Sequence, residues 1–253
     1  DDVVLMMNKV LDRFIQDAPD TLHKARRTAQ EERNIGVGVL GFHSLLQAKN
    51  LPIESAMAVG MNRMIFSTIN MRLRKASKKL VDECRYKDVG NGMANSHLMA
   101  IAPTASTSII LGNTSPSIEP YRANIYRQDT LSGIFVTKNK HLDKIIRAMS
   151  NDDGIYEEIW NQITANDGSI QDMDCFTKDE KDVFKTAMEI DQRWLVQHAA
   201  DRAPYIDQGQ SVNLFFRPDA DVLYVHACHF MAWSLGVKAL HYCRSAKLRP
   251  AAI

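Results

Sequence analysis

A chain of 253 residues with 45% apolar and 24% charged side chains has an ordinary globular composition and enough length for one large core or two modest ones. Its 31 basic and 30 acidic residues leave a formal charge of +1, which makes no electrostatic case for nucleic acid or an anionic membrane as partner. No apolar run approaches the about 18–20 residues of a membrane span and no signal-peptide pattern is present; the four cysteines include no CxxC pair, so a zinc ribbon or disulfide scaffold is not indicated and the expected location is cytoplasmic.

In chain order, residues 3–18 place Val4, Met7, Val10, Leu11 and Phe14 on one helical face. "NIGVGVLGF", Asn34 to Phe42, is punctuated by glycine and compact, and a helical "HSLLQAKN" follows it. Residues 54–82 carry Met61, Ile65, Ile69, Leu73, Ala76 and Leu80 at spacings of three or four, the pattern of a long helix. Its methionines and leucines read as ordinary core, and the basic residues of 63–79 read as its solvated side. "ECRYKDVGNGMAN", residues 83–95, is a polar linker.

Residues 97–102 form an apolar, strand-like run. Thr177 with Glu180 makes a capping box for a helix that carries Val183, Ala187, Ile190 and Trp194 and ends near Arg202. "SVNLFF", 211–216, is a strand; Asp219 or Asp221 caps a helix through Leu223, Phe230 and Trp233 to a break at Gly236; "VKALHYC", 237–243, is a final strand. The sustained mixture of strand and helix indicates α/β layers or a barrel.

The run 97–102 breaks at Pro103 and releases Thr104, Ala105, Ser106 and Thr107. Consecutive small residues at a helix start offer unpaired N–H groups and hydroxyls to an anion, a cradle suited to phosphate. The alternative is an N-cap and serine-rich turn whose hydroxyls satisfy their own backbone. Neither the lysine nor the glycine spacing of a Walker loop is present.

"IAPTASTSIILGNTSPSIEPYRANIYRQDTLSG", Ile101 to Gly133, resembles the phosphate-loop region of the large catalytic subunit of class I ribonucleoside-diphosphate reductases. The resemblance continues through "RNIGVGVLGF", "NQITANDGSIQ", "AADRAPYIDQGQSVNLFF", "HFMAWSLGVKALHYCR" and "RPAAI", with a phage-like flavour that would place the protein in a host cell's cytoplasm. It implies an α/β fold, the C-terminal half of the family's ten-stranded barrel, with residues 1–253 as a partial catalytic barrel domain. The start at Asp1 and the end on "LRPAAI" fit the expectation of a piece of a longer polypeptide.

The resemblance assigns Thr104, Ala105, Ser106 and Thr107 to the substrate-diphosphate loop. It assigns "KALHYC" to the strand that carries two adjacent radical-path tyrosines, represented here by His241 and Tyr242. A phenol loses an electron and a proton at an accessible potential, whereas an imidazole is harder to oxidise, so His241 is expected to accept a proton or hold a water. None of Cys84, Cys175, Cys228 and Cys243 falls on the family's radical or redox cysteine motifs, and inactivity of the chain alone is expected. The implied partners are a ribonucleoside diphosphate, a small subunit whose metal site supplies the radical, the N-terminal part of the large subunit, thioredoxin or glutaredoxin, and a second complete large subunit. No cofactor is expected on the chain itself. Alternatives are a separately encoded piece, an inactive nucleotide-binding remnant and a structural scaffold. Residues 83–95 are expected to be a linker or the site of a segment that longer relatives carry.

Overall fold

A computed structural model describes residues 1–130, 133–149 and 152–245. The "RPAAI" stretch therefore lies outside the described residues.

Two helices open the chain, α1 (Asp2–Asp17) and α2 (His23–Glu31). Val4 and Asn8 are the buried positions of α1, while Val10, expected on its inner face, is 54% exposed. After the glycine-rich segment come α3 (Phe42–Ala48) and the 27-residue α4 (Ala56–Asp82). Ser55 caps α4 by accepting the Ala58 N–H at 3.1 Å. The buried stripe of α4 runs through Ala58, Asn62, Phe66, Leu73, Ala76 and Leu80, so its N-terminal half is turned one position away from the expected Met61, Ile65 and Ile69, which are half-buried. Full burial of Phe66 alone stabilises the fold by roughly 1.5–3 kcal/mol.

The parallel staves of the fold are short. Val37 bridges Met99 and Ile101 bridges Gln210, both in parallel. The Ile35 N–H reaches the His97 carbonyl at 3.1 Å, and the Ile101 N–H reaches Gly209 at 3.0 Å. The expected strand 97–102 is thus an extended segment held on both sides, but its pairing is limited to isolated bridges. Glycine at 38 has a steric reason: a Cβ there would sit 2.6 Å from the Ala100 carbonyl oxygen.

Next come α5 (Ala105–Ile110) and an antiparallel hairpin, β1 (Ile125–Thr130) with β2 (Gly133–Lys138). Helices α6 (Lys140–Met149) and α7 (Asp153–Ala165) follow. A second core of Leu142, Ile146, Trp160, Ile163, Ile170 and Phe184 lies under them, beside the main one around Phe66, Leu98, Met99 and Phe215. Asn139 links the two regions by donating to Gln47 and Asn124, each at 2.9 Å.

The capping box at Thr177 and Glu180 is present and starts α8 (Lys178–Val183), but the expected continuous helix to Arg202 is broken. Residues 184–191 turn, and Asp191 caps a separate α9 (Gln192–Arg202). The interruption lets Ala187 and Ile190 enter the main core from a turn, where the Ala187 N–H meets the Tyr121 carbonyl at 2.8 Å. Strand β3 (Asn213–Phe216) leads to α10 (Val222–Ser234), capped by Asp221, not Asp219, through a 2.9 Å bond from the Leu223 N–H. The final strand β4 (Tyr242–Ser245) pairs in parallel with β3. It starts later than the expected Val237 because only from His241 onward does the backbone meet β3's segment, with the His241 N–H on the Val212 carbonyl at 2.8 Å.

Candidate functional site

Pro103 ends the extended segment, and Thr104 adopts the left-handed backbone conformation, φ 47°, that tips the chain into α5. The first backbone bond closing this helix runs from the Ser108 N–H to the Thr104 carbonyl at 3.0 Å. The N–H groups of Ala105, Ser106 and Thr107 thus precede the intrahelical ladder and point out of its start. All three residues are exposed. Thr104 makes no side-chain cap to α5. Instead its Oγ1 accepts the Ser117 N–H at 2.8 Å, while the Ser108 hydroxyl donates to the Ala105 carbonyl at 2.8 Å. The local self-capping expected of a plain serine-rich turn therefore holds for Ser108 and not for Thr104.

His241 and Tyr242 lie at the other end of the site. Their ring centroids are 4.1 Å apart and tilted by 53°. Tyr242 is 53% exposed, and the Arg244 guanidinium carbon lies 5.0 Å from the centre of its ring. The His241 Nδ1 is 3.4 Å from the Ser211 hydroxyl.

The two groups are joined by buried polar residues that sequence reading did not single out. Two residues after Ser117 stands Glu119, whose carboxylate accepts from the Asn213 side-chain amide at 2.5 Å. The Asn213 Oδ1 in turn accepts the Tyr242 N–H at 3.0 Å. Glu119 and Asn213 are 6% and 3% exposed. Burial pushes the Glu119 carboxyl above its ordinary range, opposed by Arg122, Asn213, Arg244 and His241. The same desolvation lowers Arg122, with Arg244 adding like-charge repulsion.

A narrow cavity behind this network is lined by Glu119, His198, Arg202, Ser211 and Asn213. Burial pushes His198 down to about 4 and Arg202 down to about 9. The signal that could have disclosed the network was present: a lone acid in the apolar "SIEPY" and a lone amide in "SVNLFF" each need a buried partner. Cys84, Cys175 and Cys243 are exposed, Cys228 is buried, and all four are free thiols.

A sequence profile of the family "Ribonucleotide reductase, barrel domain" matches residues 1–88 and 81–243. The ribonucleoside-diphosphate reductase large subunit of Invertebrate iridescent virus 3 is 48% identical over 253 residues, covering 98% of this chain and 40% of that protein. The large subunit of Caenorhabditis elegans is 33% identical over 281 aligned positions, covering 96% and 35%. Among solved structures, the Actinobacillus ureae class Id ribonucleotide reductase alpha subunit superposes with a TM-score of 0.87 at 38% identity, covering 97% of this chain and 45% of that one. The chain spans less than half the length of each of these relatives. The matched profile, the 38% identical superposition and the α/β staves agree, and the chain belongs to the ribonucleotide reductase barrel-domain family.

Proposed function

We propose that this chain forms the C-terminal part of the catalytic barrel in a large subunit that reduces ribonucleoside diphosphates at the ribose 2′ position by radical chemistry. The observation that carries the reading is the continuous link between an anion-ready turn and an exposed tyrosine: Thr104 to Ser117, then Glu119 to Asn213 to Tyr242. The turn holds the substrate's diphosphate through the N–H groups of Ala105, Ser106 and Thr107 and the hydroxyls of Ser106 and Thr107. Tyr242 passes the oxidising equivalent that a metal-bearing small subunit supplies, its phenol giving up an electron and a proton together. His241, its ring tilted against the phenol ring, stands where the first radical-path tyrosine is expected and accepts the proton.

The substrate, small subunit, thioredoxin or glutaredoxin and a second large subunit would meet the assembled protein, not this chain alone. The test is reassembly with the missing large-subunit portion, a small subunit and reductant. Deoxyribonucleoside diphosphate should form, and it should disappear when any component, this chain included, is left out. Product formation without this chain, or none in the complete mixture after verified assembly, would count against the reading.

A second reading is that the chain is a separately made piece that docks on the rest of the barrel, and under either reading α10 needs a covering partner. Val222, Leu223 and Trp233 on this helix are 79%, 74% and 75% exposed, an apolar surface that calls for cover. Co-purification of a complementary large-subunit piece distinguishes it from a single longer polypeptide.

A further inference from the structure

We infer that Glu119 and Asn213 are a positioning pair for Tyr242, fixing the strand that carries the phenol against the loop that carries the phosphate turn. The inference deepens the proposed function and rests on it for its kinetic arm. The geometry leaves the polarity of the pair in no doubt. Asn213 has one donor group and one acceptor atom at its tip; the Nδ2 donates to the Glu119 carboxylate, and the Oδ1 accepts the Tyr242 N–H. Both residues are buried, so neither group is replaced by bulk water if its partner is lost.

Tyr242 itself is more than half exposed and β3 and β4 pair over only four residues, so little else sets the start of β4. The His241 N–H bond to the Val212 carbonyl sits one residue before it. At the other end, Ser117 anchors the Glu119 loop to Thr104. The pair therefore bridges loop and strand directly, beside the weaker Ser211 to His241 contact at 3.4 Å.

Polarity gives a test that a packing role would not pass. Asn213→Asp keeps the volume but sets two carboxyls face to face. Above the range where one of them takes up a proton, they repel and the tie opens; as pH falls, a shared proton restores a donor and closes it. The titratable groups that act on Glu119 are Arg122 from its own loop, His241 just before β4 and Arg244 on β4, while His198 and Arg202 of α9 line the cavity beside the pair. Adding Glu119→Gln to Asn213→Asp reverses the polarity: the new amide donates, and the new carboxylate still accepts the Tyr242 N–H.

Hydrogen exchange of the Tyr242 amide in the folded chain reads the tie directly. Asn213→Asp at pH 8 should exchange roughly fivefold or more faster than the parent at the same pH, the loss of about one buried hydrogen bond. The difference should shrink towards pH 5.5, and the double variant Glu119→Gln/Asn213→Asp should match the parent at both. Asn213→Leu should exchange fast at both pH values, and Asn213→Asp serves where the leucine variant does not fold. Parent-like exchange in Asn213→Asp at pH 8, or failure of the double variant to restore it, overturns the pair. In the reassembled enzyme, Asn213→Asp at pH 8 should lower kcat at least about tenfold and leave KM for the diphosphate within about twofold; an unchanged kcat with altered exchange overturns its role in positioning. If Tyr242→Phe retains turnover, the radical-path reading falls instead, and the exchange data still decide the tie.

Discussion

The Thr104 hydroxyl oxygen accepts the N–H of Ser117 at 2.8 Å, which binds the residue at the start of α5 to the loop that leaves it. Thr104 is therefore a structural member of the turn, whereas Ser106 and Thr107 are exposed at its mouth. Ser106→Ala and Thr107→Ala should each weaken diphosphate binding about tenfold, since a hydrogen bond to a charged group is worth roughly 1.5–3 kcal/mol, with melting temperature nearly unchanged. Thr104→Ala should lower the melting temperature as well. Calorimetric titration and thermal melting separate the two; equal affinity with a lowered melting temperature in the Ser106 and Thr107 variants would instead mark the turn as a helix cap.

Tyr242→Phe removes one hydroxyl and little volume. In the reassembled enzyme it should abolish nucleotide reduction while leaving diphosphate affinity and melting temperature in place. His241→Tyr should be tolerated, because the site beside Tyr242 is exposed and accommodates a larger ring. Product assays of both variants check this, and normal turnover by Tyr242→Phe would send the radical by another route.

Two buried histidines predict an acid sensitivity unrelated to catalysis. Burial pushes His43 down to about 3, where its Nδ1 accepts the Tyr121 N–H at 3.0 Å, and His198 down to about 4. Both folded values lie below the unfolded value of about 6.5, so the unfolded chain binds more protons and stability falls as pH drops below that point. Each contributes a loss on the order of 1 kcal/mol per pH unit down to its folded value. Urea midpoints at pH 7 and pH 5 should show the decline. His43→Asn, which keeps an acceptor for Tyr121, should flatten it, and an unflattened curve would place the sensitivity elsewhere.

The 253-residue chain on its own is expected to form no deoxynucleotide, since the family resemblance puts none of its four cysteines on the radical motif. It should also self-associate, because Ile110, Val222, Leu223 and Trp233 are 81%, 79%, 74% and 75% exposed. Sedimentation of the chain and of Val222→Ser/Trp233→Ser should show the association weakening in the variant. A monodisperse parent that melts sharply would mean that these apolar faces need no cover.

The turn after Asp82 offers a local check on residues 83–95. Asp88 accepts the N–H groups of Gly90, Asn91 and Gly92 at 2.8, 3.0 and 2.9 Å, and these bonds, Gly90's first, hold its carboxyl below the usual range. A lowered folded value means that the turn is secure above the ordinary carboxylate range and loosens as pH falls through it. Asp88→Ala should speed exchange of the Gly90 and Gly92 amides at neutral pH while leaving the α4 amides protected. Unchanged exchange would show that the turn holds without its aspartate.

Much of the fold was legible because its causes are local. The spacing of Leu73, Ala76 and Leu80, the capping box at Thr177 and Glu180, and the glycine break at 236 each act within a few residues, where sequence order and spatial order coincide. The small residues Thr104 to Thr107 after Pro103 marked a candidate anion cradle by themselves, whereas its assignment to the substrate diphosphate and the His241 and Tyr242 pair came from family-specific wording, which periodicity alone does not contain. Where contacts are long-range, the sequence decided less. The split between α8 and α9 follows from where Ala187 meets Tyr121, and the late start of β4 from where Val212 can accept His241. The Glu119 to Asn213 to Tyr242 link joins residues 94 and 29 positions apart. Sequence composition determined that a buried acid and a buried amide would each need a partner; only the tertiary structure, by closing those long loops around one hydrogen-bonded path, decided that they would satisfy each other and hold the tyrosine.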